Sequence, residues 1–256
     1  MAFTPCISMM ELGVSTEVFA LLILSTLITS AFTAVLGQGG GLMLMGVLAQ
    51  VMPAASLIPI HAVIQTASNA SRAILSLRDI NWGIITPILI GILLGAVVVT
   101  PLISHINWDG MQLVIGVFIL WTVWGNGLKL TSKIPFPLAS LGIAQGSLGV
   151  LLGATGPLGN AILLAKGLNR ESLIASNAVI MFASHAIKIV VFMIMGVALS
   201  TYTLLLIALS LAAIIGSYIG KHLRPKLSEP LFFKLFRFSL TLLALRMLYL
   251  GLTSFF

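Results

Sequence analysis

His61, Gln65, Ser68, Asn69 and Arg72 step by three or four residues along one stretch of the chain, so on a helix they share a face. A second stretch offers Asn177, Ser184, His185 and Lys188 at matching positions, with Met181 standing where the first has Gln65. Polar groups in lipid are costly and face a bundle interior or a water-filled path. Amides, imidazoles, a guanidinium and an ammonium together suit the holding of an anion by hydrogen bonds and charge. Interhelical hydrogen bonding is the bland alternative. Two stripes that coincide after a fixed shift favour a lined cavity instead.

A glycine turn precedes each stripe. Gly37-Gln38-Gly39-Gly40-Gly41 opens the first, and Gly153-Ala154-Thr155-Gly156-Pro157 opens the second, 116 positions later. The segments beginning at Ser56 and Ser172 keep the same offset, with nine identities in twenty aligned pairs, and Arg72 falls on Lys188. This is an internal duplication. Each turn leads into a short apolar run, about 40–52 and 157–168. Thirteen helical residues rise only about 20 Å, less than the roughly 30 Å hydrocarbon core. A helix broken inside the membrane exposes N–H groups and the positive end of its dipole, which together bind anions. Gln38 and Thr155 add side-chain donors. The expected substrate contacts are Gln38, Gly39, Gly40, Gly41, Gln65, Ser68, Asn69, Thr155, Gly156, Asn177, Ser184 and His185. Bulky substitution at Gly40 or Gly156 is expected to abolish binding while the fold survives.

The elements that position these residues follow from composition. The chain is 59% hydrophobic and 7% charged, with a mean hydropathy of +1.16. Soluble domains carry about 25% charged residues, so this is a polytopic membrane protein. Long continuous apolar runs, rather than alternating ones, exclude a barrel. Full-length segments lie at about 16–36, 56–77, 83–104, 111–130, 136–152, 172–196, 203–222 and 231–253. The fold expected is all-α with two repeats, inverted relative to each other, each of four long helices plus one short or broken segment. A tail at 1–15 precedes repeat 1 at 16–132 and repeat 2 at 133–256. Ser56 and Ser172 are the expected N-caps of the striped helices.

If all five segments of each repeat cross, Arg78, Lys129, Lys133, Lys166, Arg170, Lys221, Arg224 and Lys226 share one side. The positive-inside rule makes that side cytoplasmic. Glu11, Glu17 and the 104–110 loop with Asp109 fall on the other. In this topology Arg72 sits near the cytoplasmic mouth and Lys188 near the outer one, as charges drawing an anion into alternately open vestibules. All six acidic residues lie in termini or loops, which weighs against a cation carrier or a carboxylate proton relay. The net charge of +7 bears on topology and anionic lipid, not on nucleic acid. The single cysteine, Cys6, permits no internal disulfide and no cysteine-built metal site. No cofactor is called for, and no cleaved leader is read at the N-terminus.

A rival class is catalysis. Ser147, in Gln145-Gly146-Ser147-Leu148-Gly149, and His185 can be drawn as an intramembrane serine hydrolase pair. The turn lacks the glycine directly after serine that rhomboid-like proteases show.

The order of features resembles the TauE/SafE sulfite exporter family over about residues 16–253. The resemblance is carried by the G-x-G-G-G turn, the short apolar segment, the small-polar helix ending at a basic loop, the helix start Asp79-Ile80-Asn81-Trp82, and a second, shorter turn with a basic loop near 221–226. The proline usual in the first short segment is absent, where Met45 and Gly46 stand, and Thr155 and Pro157 replace glycines in the second turn. The resemblance implies an inner-membrane secondary transporter of sulfite, thiosulfate or an organosulfonate. Composition and spacing alone support a transporter of some small anion or metabolite, and a coupling proton is compatible with them.

Overall fold

The computed structural model describes residues 15–52, 54–103, 105, 111–125, 138–153, 155–224 and 229–253. Cys6, Glu11, Asp109, Lys129, Lys133 and Lys226 lie outside them, as does all but the last residue of the N-terminal tail. The described residues form ten α-helices and no strand. These are α1 (Thr16–Leu36), α2 (Gly40–Leu48), α3 (Ala54–Leu75), α4 (Trp82–Ile103), α5 (Met111–Trp124), α6 (Leu138–Leu152), α7 (Gly156–Ala165), α8 (Arg170–Ile194), α9 (Thr203–Leu223) and α10 (Glu229–Thr253). Helices α1, α4 and α8, and α9 with the short turn before it, are long and apolar enough to cross a membrane.

Distribution of polarity is inverted relative to a water-soluble protein. Leu21, Leu24 and Ile28 of α1, and Ile90, Leu93, Val97 and Val98 of α4, face outward. His61, Gln65, Asn69 and Arg72 of α3, and Asn177, His185 and Lys188 of α8, are buried. Lipid solvates the first set, and protein must satisfy the second.

The short helices are shorter still than the sequence suggests. Helix α2 has 9 residues and α7 has 10, so each rises only about 15 Å. Both start 116 positions apart, at Gly40 and Gly156, as α3 and α8 do at Ala54 and Arg170. The cap of α8 differs from expectation. Asn169 is the N-cap, its side-chain oxygen accepting from Ser172 N at 2.9 Å. An amide one turn upstream reaches the exposed N–H better than the serine already inside the helix. Glu17 and Glu171 also lie inside helices, each in a first turn, where the dipole favours a carboxylate.

Close packing runs through glycine. A Cβ on Gly91 of α4 would lie 2.0 Å from the Ala139 carbonyl oxygen of α6, and one on Gly95 would lie 2.2 Å from that of Ile143. On the other side, Gly216 and Gly220 of α9 meet the Leu27 and Ala31 carbonyl oxygens of α1 at 2.3 and 2.2 Å. Lipid tails are as apolar as leucine, so such backbone approach supplies the dispersion contact that holds helices together in a bilayer. These two seams, α4 on α6 and α1 on α9, flank the central pair α3 on α8.

Basic side chains tie several helix ends into one face. Arg224 donates to Ala34 O at 2.9 and 2.7 Å and pairs with Glu171. Arg170 donates to Val35 O at 3.1 Å, and Lys221 to Leu75 O. The ends of α1, α3 and α9 therefore meet the start of α8. Cations at helix C-termini satisfy orphan carbonyls and complement the dipole.

Candidate functional site

The site begins with α1, whose hydroxyl run Thr26, Thr29, Ser30 and Thr33 is buried. Thr33 Oγ1 donates back to Thr29 O at 2.9 Å. The helix stops at Gly37, with φ +81, whose N–H closes on Thr33 O at 2.7 Å. Gly39 follows at φ +96, a conformation that favours glycine. The chain can then start α2 with no side chain capping its N-terminus. The orphan N–H groups of that first turn are thus left for other partners.

Helices α3 and α8 bring their stripes against this turn. His61 Nε2 donates to Gly41 O at 2.9 Å, and Asn177 Nδ2 donates to Gly37 O at 3.1 Å. Ile174 of α8 covers Gly37, and Ile58 of α3 covers Gly153 together with Met45. Ile58 and Ile174 are themselves 116 positions apart, so each turn is covered by the striped helix of the other half. The rings of His61 and His185 meet edge-on, with centroids 5.4 Å apart and an interplanar angle of 71°.

These elements enclose a cavity of about 30 Å³. Pockets for drug-sized ligands measure roughly 300–1,000 Å³, so this one admits only a small ion or molecule. Both short-helix N-termini reach it: Gly39, Gly41 and Leu42 from α2, and Gly156 from α7. Of the other expected contacts, Gln38, Gln65, Asn69, Asn177 and His185 line it, joined by Arg72, which was expected at a vestibule, and by His61 of the first stripe. Arg72 is held by Thr33 O at 3.4 Å, Ser68 O at 3.4 Å and Asn69 Oδ1. The arrangement therefore combines a guanidinium, amides and two positive helix ends around a small space. That is a donor-rich environment suited to an oxyanion.

Five of the residues singled out from the sequence lie elsewhere. Gly40 is packing: its Cβ would sit 1.8 Å from Thr29 O, so a bulky substitution there would force α2 off α1. Ser68 Oγ meets Ser217 Oγ at 3.2 Å across α3 and α9. Ser184 packs beside Gly149. Thr155 is buried behind the cavity, with its hydroxyl near Gly149. Lys188 is 0% exposed and bonds Gly153 O at 2.5 Å and His185 Nδ1 at 3.3 Å. Neither Lys188 nor Arg72, at 4% exposure, faces an open vestibule here. Thr33, Leu42 and Met181 line the cavity and were not among the expected contacts. The three-to-four-residue spacing of hydroxyls from Thr26 to Thr33 was the signal for the first; nothing marks Leu42.

Ser147 donates to Gly95 O at 3.0 Å within the α4–α6 seam, and His185 Nδ1 is taken by Lys188. Neither group is arranged as a nucleophile and base. Among the described residues no group of His, Cys, Asp and Glu converges on a metal-sized point.

An apolar shell of helices around a polar cavity, with two short helices starting at it, has the plan of a membrane transporter. The sequence model of the family "Sulfite exporter TauE/SafE" matches residues 22–247, and the chain belongs to that family. It is thus a membrane transporter of the sulfite-exporter type and not an enzyme. Comparison with curated proteins and with solved structures gave no match.

Proposed function

We propose that the protein carries a small sulfur oxyanion, such as sulfite, thiosulfate or an organosulfonate, across the cytoplasmic membrane of a bacterium. The observation that carries this reading is the meeting of both short-helix N-termini and Arg72 at one small cavity. Backbone N–H groups and a guanidinium are the donors a compact oxyanion takes. The test is flux of labelled sulfite, thiosulfate and ethanesulfonate into proteoliposomes, with and without a proton gradient. Saturable uptake of at least one is expected. Uptake of all three no faster than in protein-free liposomes overturns the reading.

The two halves work as inverted repeats in this proposal, with the cavity exposed to each side in turn. Supporting it, α3 ends on the face where its mate α8 begins, as the contacts of Lys221, Arg224 and Glu171 record. The basic ends of α1, α3 and α9 are assigned to the cytoplasm by the positive-inside rule. Single cysteines at Thr131 and Leu223 are then expected to react only with cytoplasmic reagent, and one at Asn107 only from outside. Labelling of positions 131 and 223 from opposite faces would exclude inversion.

A further inference from the structure

His61 is 0% exposed and lines the cavity. Its Nε2 lies 2.9 Å from the Gly41 carbonyl, an acceptor only, so the ring proton is on Nε2. Its Nδ1 is then a bare lone pair, and that atom has no hydrogen-bond partner among the described residues. A buried acceptor left unmatched is a cost to the fold. It is also the wrong group to set beside an anion, because lone pair and anion repel. The cavity also gathers the α2 N-terminus and Arg72, with His185 across the α3–α8 contact and Lys188 beyond it, while Asn177 Oδ1 is a second buried acceptor with no partner among the described residues.

We propose that His61 is the proton site of the carrier, and that one proton binds at Nδ1 together with the anion. This rests on the anion reading above. The proton comes from water and joins the Nδ1 lone pair, while Nε2–H stays on Gly41, so the ring becomes an imidazolium and the site gains one positive charge. The groups facing His61 explain why the two ligands arrive together. Helix α8 presents His185, edge-on, with Lys188 behind it; α3 itself presents Arg72; α2, Gly40–Leu48, carries no titratable side chain. A proton arriving alone would add a positive charge to a cavity already lined by Arg72. An anion arriving alone would meet a cavity wall that holds an uncompensated acceptor. Together they cancel both costs. His185 is unsuited to the role, because its Nδ1 already has Lys188 Nζ as a partner at 3.3 Å.

The test is calorimetric titration of the purified full chain with thiosulfate, which carries no proton near neutral pH, in buffers of different ionisation enthalpy. One proton is expected to be taken up per anion, and affinity is expected to rise about tenfold for each unit fall in pH. His61→Gln, whose amide still donates to Gly41, should bind with no proton uptake and a flat pH profile. His222→Asn, exposed at the end of α9 and outside the cavity, should keep the uptake. Uptake near zero in the wild type overturns the proposal, as does uptake retained in His61→Gln or lost in His222→Asn. Absence of binding by thiosulfate, sulfite and ethanesulfonate alike removes the anion site itself, a failure distinct from binding without a proton.

Discussion

Gly156→Val is expected to lose anion binding by on the order of a hundredfold or more, the scale on which misplacing a bound group by about 1 Å costs activity. The fold should survive it. A Cβ at Gly156 meets nothing within 4 Å, and the residue lines the cavity, so the added atoms enter the space a ligand would fill. Thermal unfolding should shift far less than in Gly40→Val, its main cost being the restriction that Pro157 places on the residue before it. Gly40→Val is the contrast. There the clash is with the Thr29 carbonyl, and loss of folded protein is expected rather than a selective loss of binding. Binding near wild-type strength in folded Gly156→Val would show that the α7 N-terminus does not contact the ligand.

Arg72→Gln should weaken the anion by a comparable factor, since removing one partner of a buried charge pair costs about 2–5 kcal/mol. Its effect on the empty protein should have the opposite sign. Arg72 is buried, and among the described residues no carboxylate pairs with it. A buried charge without a counter-ion is a desolvation cost, and replacing it with a neutral amide relieves that cost. Unliganded Arg72→Gln is thus expected to melt at or above the wild-type temperature, while the stabilisation given by saturating thiosulfate falls away. Arg72→Lys should recover part of the affinity, because an ammonium restores charge but not the planar fork. A variant that melts earlier yet binds thiosulfate normally would make Arg72 a structural cap on Thr33 O.

Most of the architecture was legible because the bilayer simplifies the reading. Hydropathy set the long helices, and the repeat set where the short ones start. Length was harder: the sequence stays apolar to about residue 52, but α2 ends at Leu48, since apolarity marks burial and not helicity. The site divided along a similar line. Spacing placed Gln65, Asn69, Arg72, Asn177 and His185 on inward faces, and these line the cavity. Spacing could not say which inward residue meets the cavity and which meets a neighbouring helix. Ser68 is one position from Asn69 and bonds Ser217 on α9 instead. Gly40 and Gly41 are adjacent and alike in sequence, yet one is pressed on a carbonyl and the other opens to the ligand space. Such differences of a few ångströms come from tertiary packing, which no local pattern encodes.

The glycine seams join α1 to α9 and α4 to α6, and each seam takes one helix from either half of the chain. With carbonyl oxygens only 2.0–2.3 Å from where a Cβ would stand, neither pair can slide without losing its contact. Under the proposed alternating exposure of the cavity, the stiff bodies would be hybrids of the two halves rather than the halves themselves. Rocking would then take place where these hybrids rest on the central α3–α8 pair, which would serve as fulcrum as well as wall of the cavity. The two sides of that pair are not alike: an amide at Gln65 corresponds to a thioether at Met181, and a guanidinium at Arg72 to an amine at Lys188.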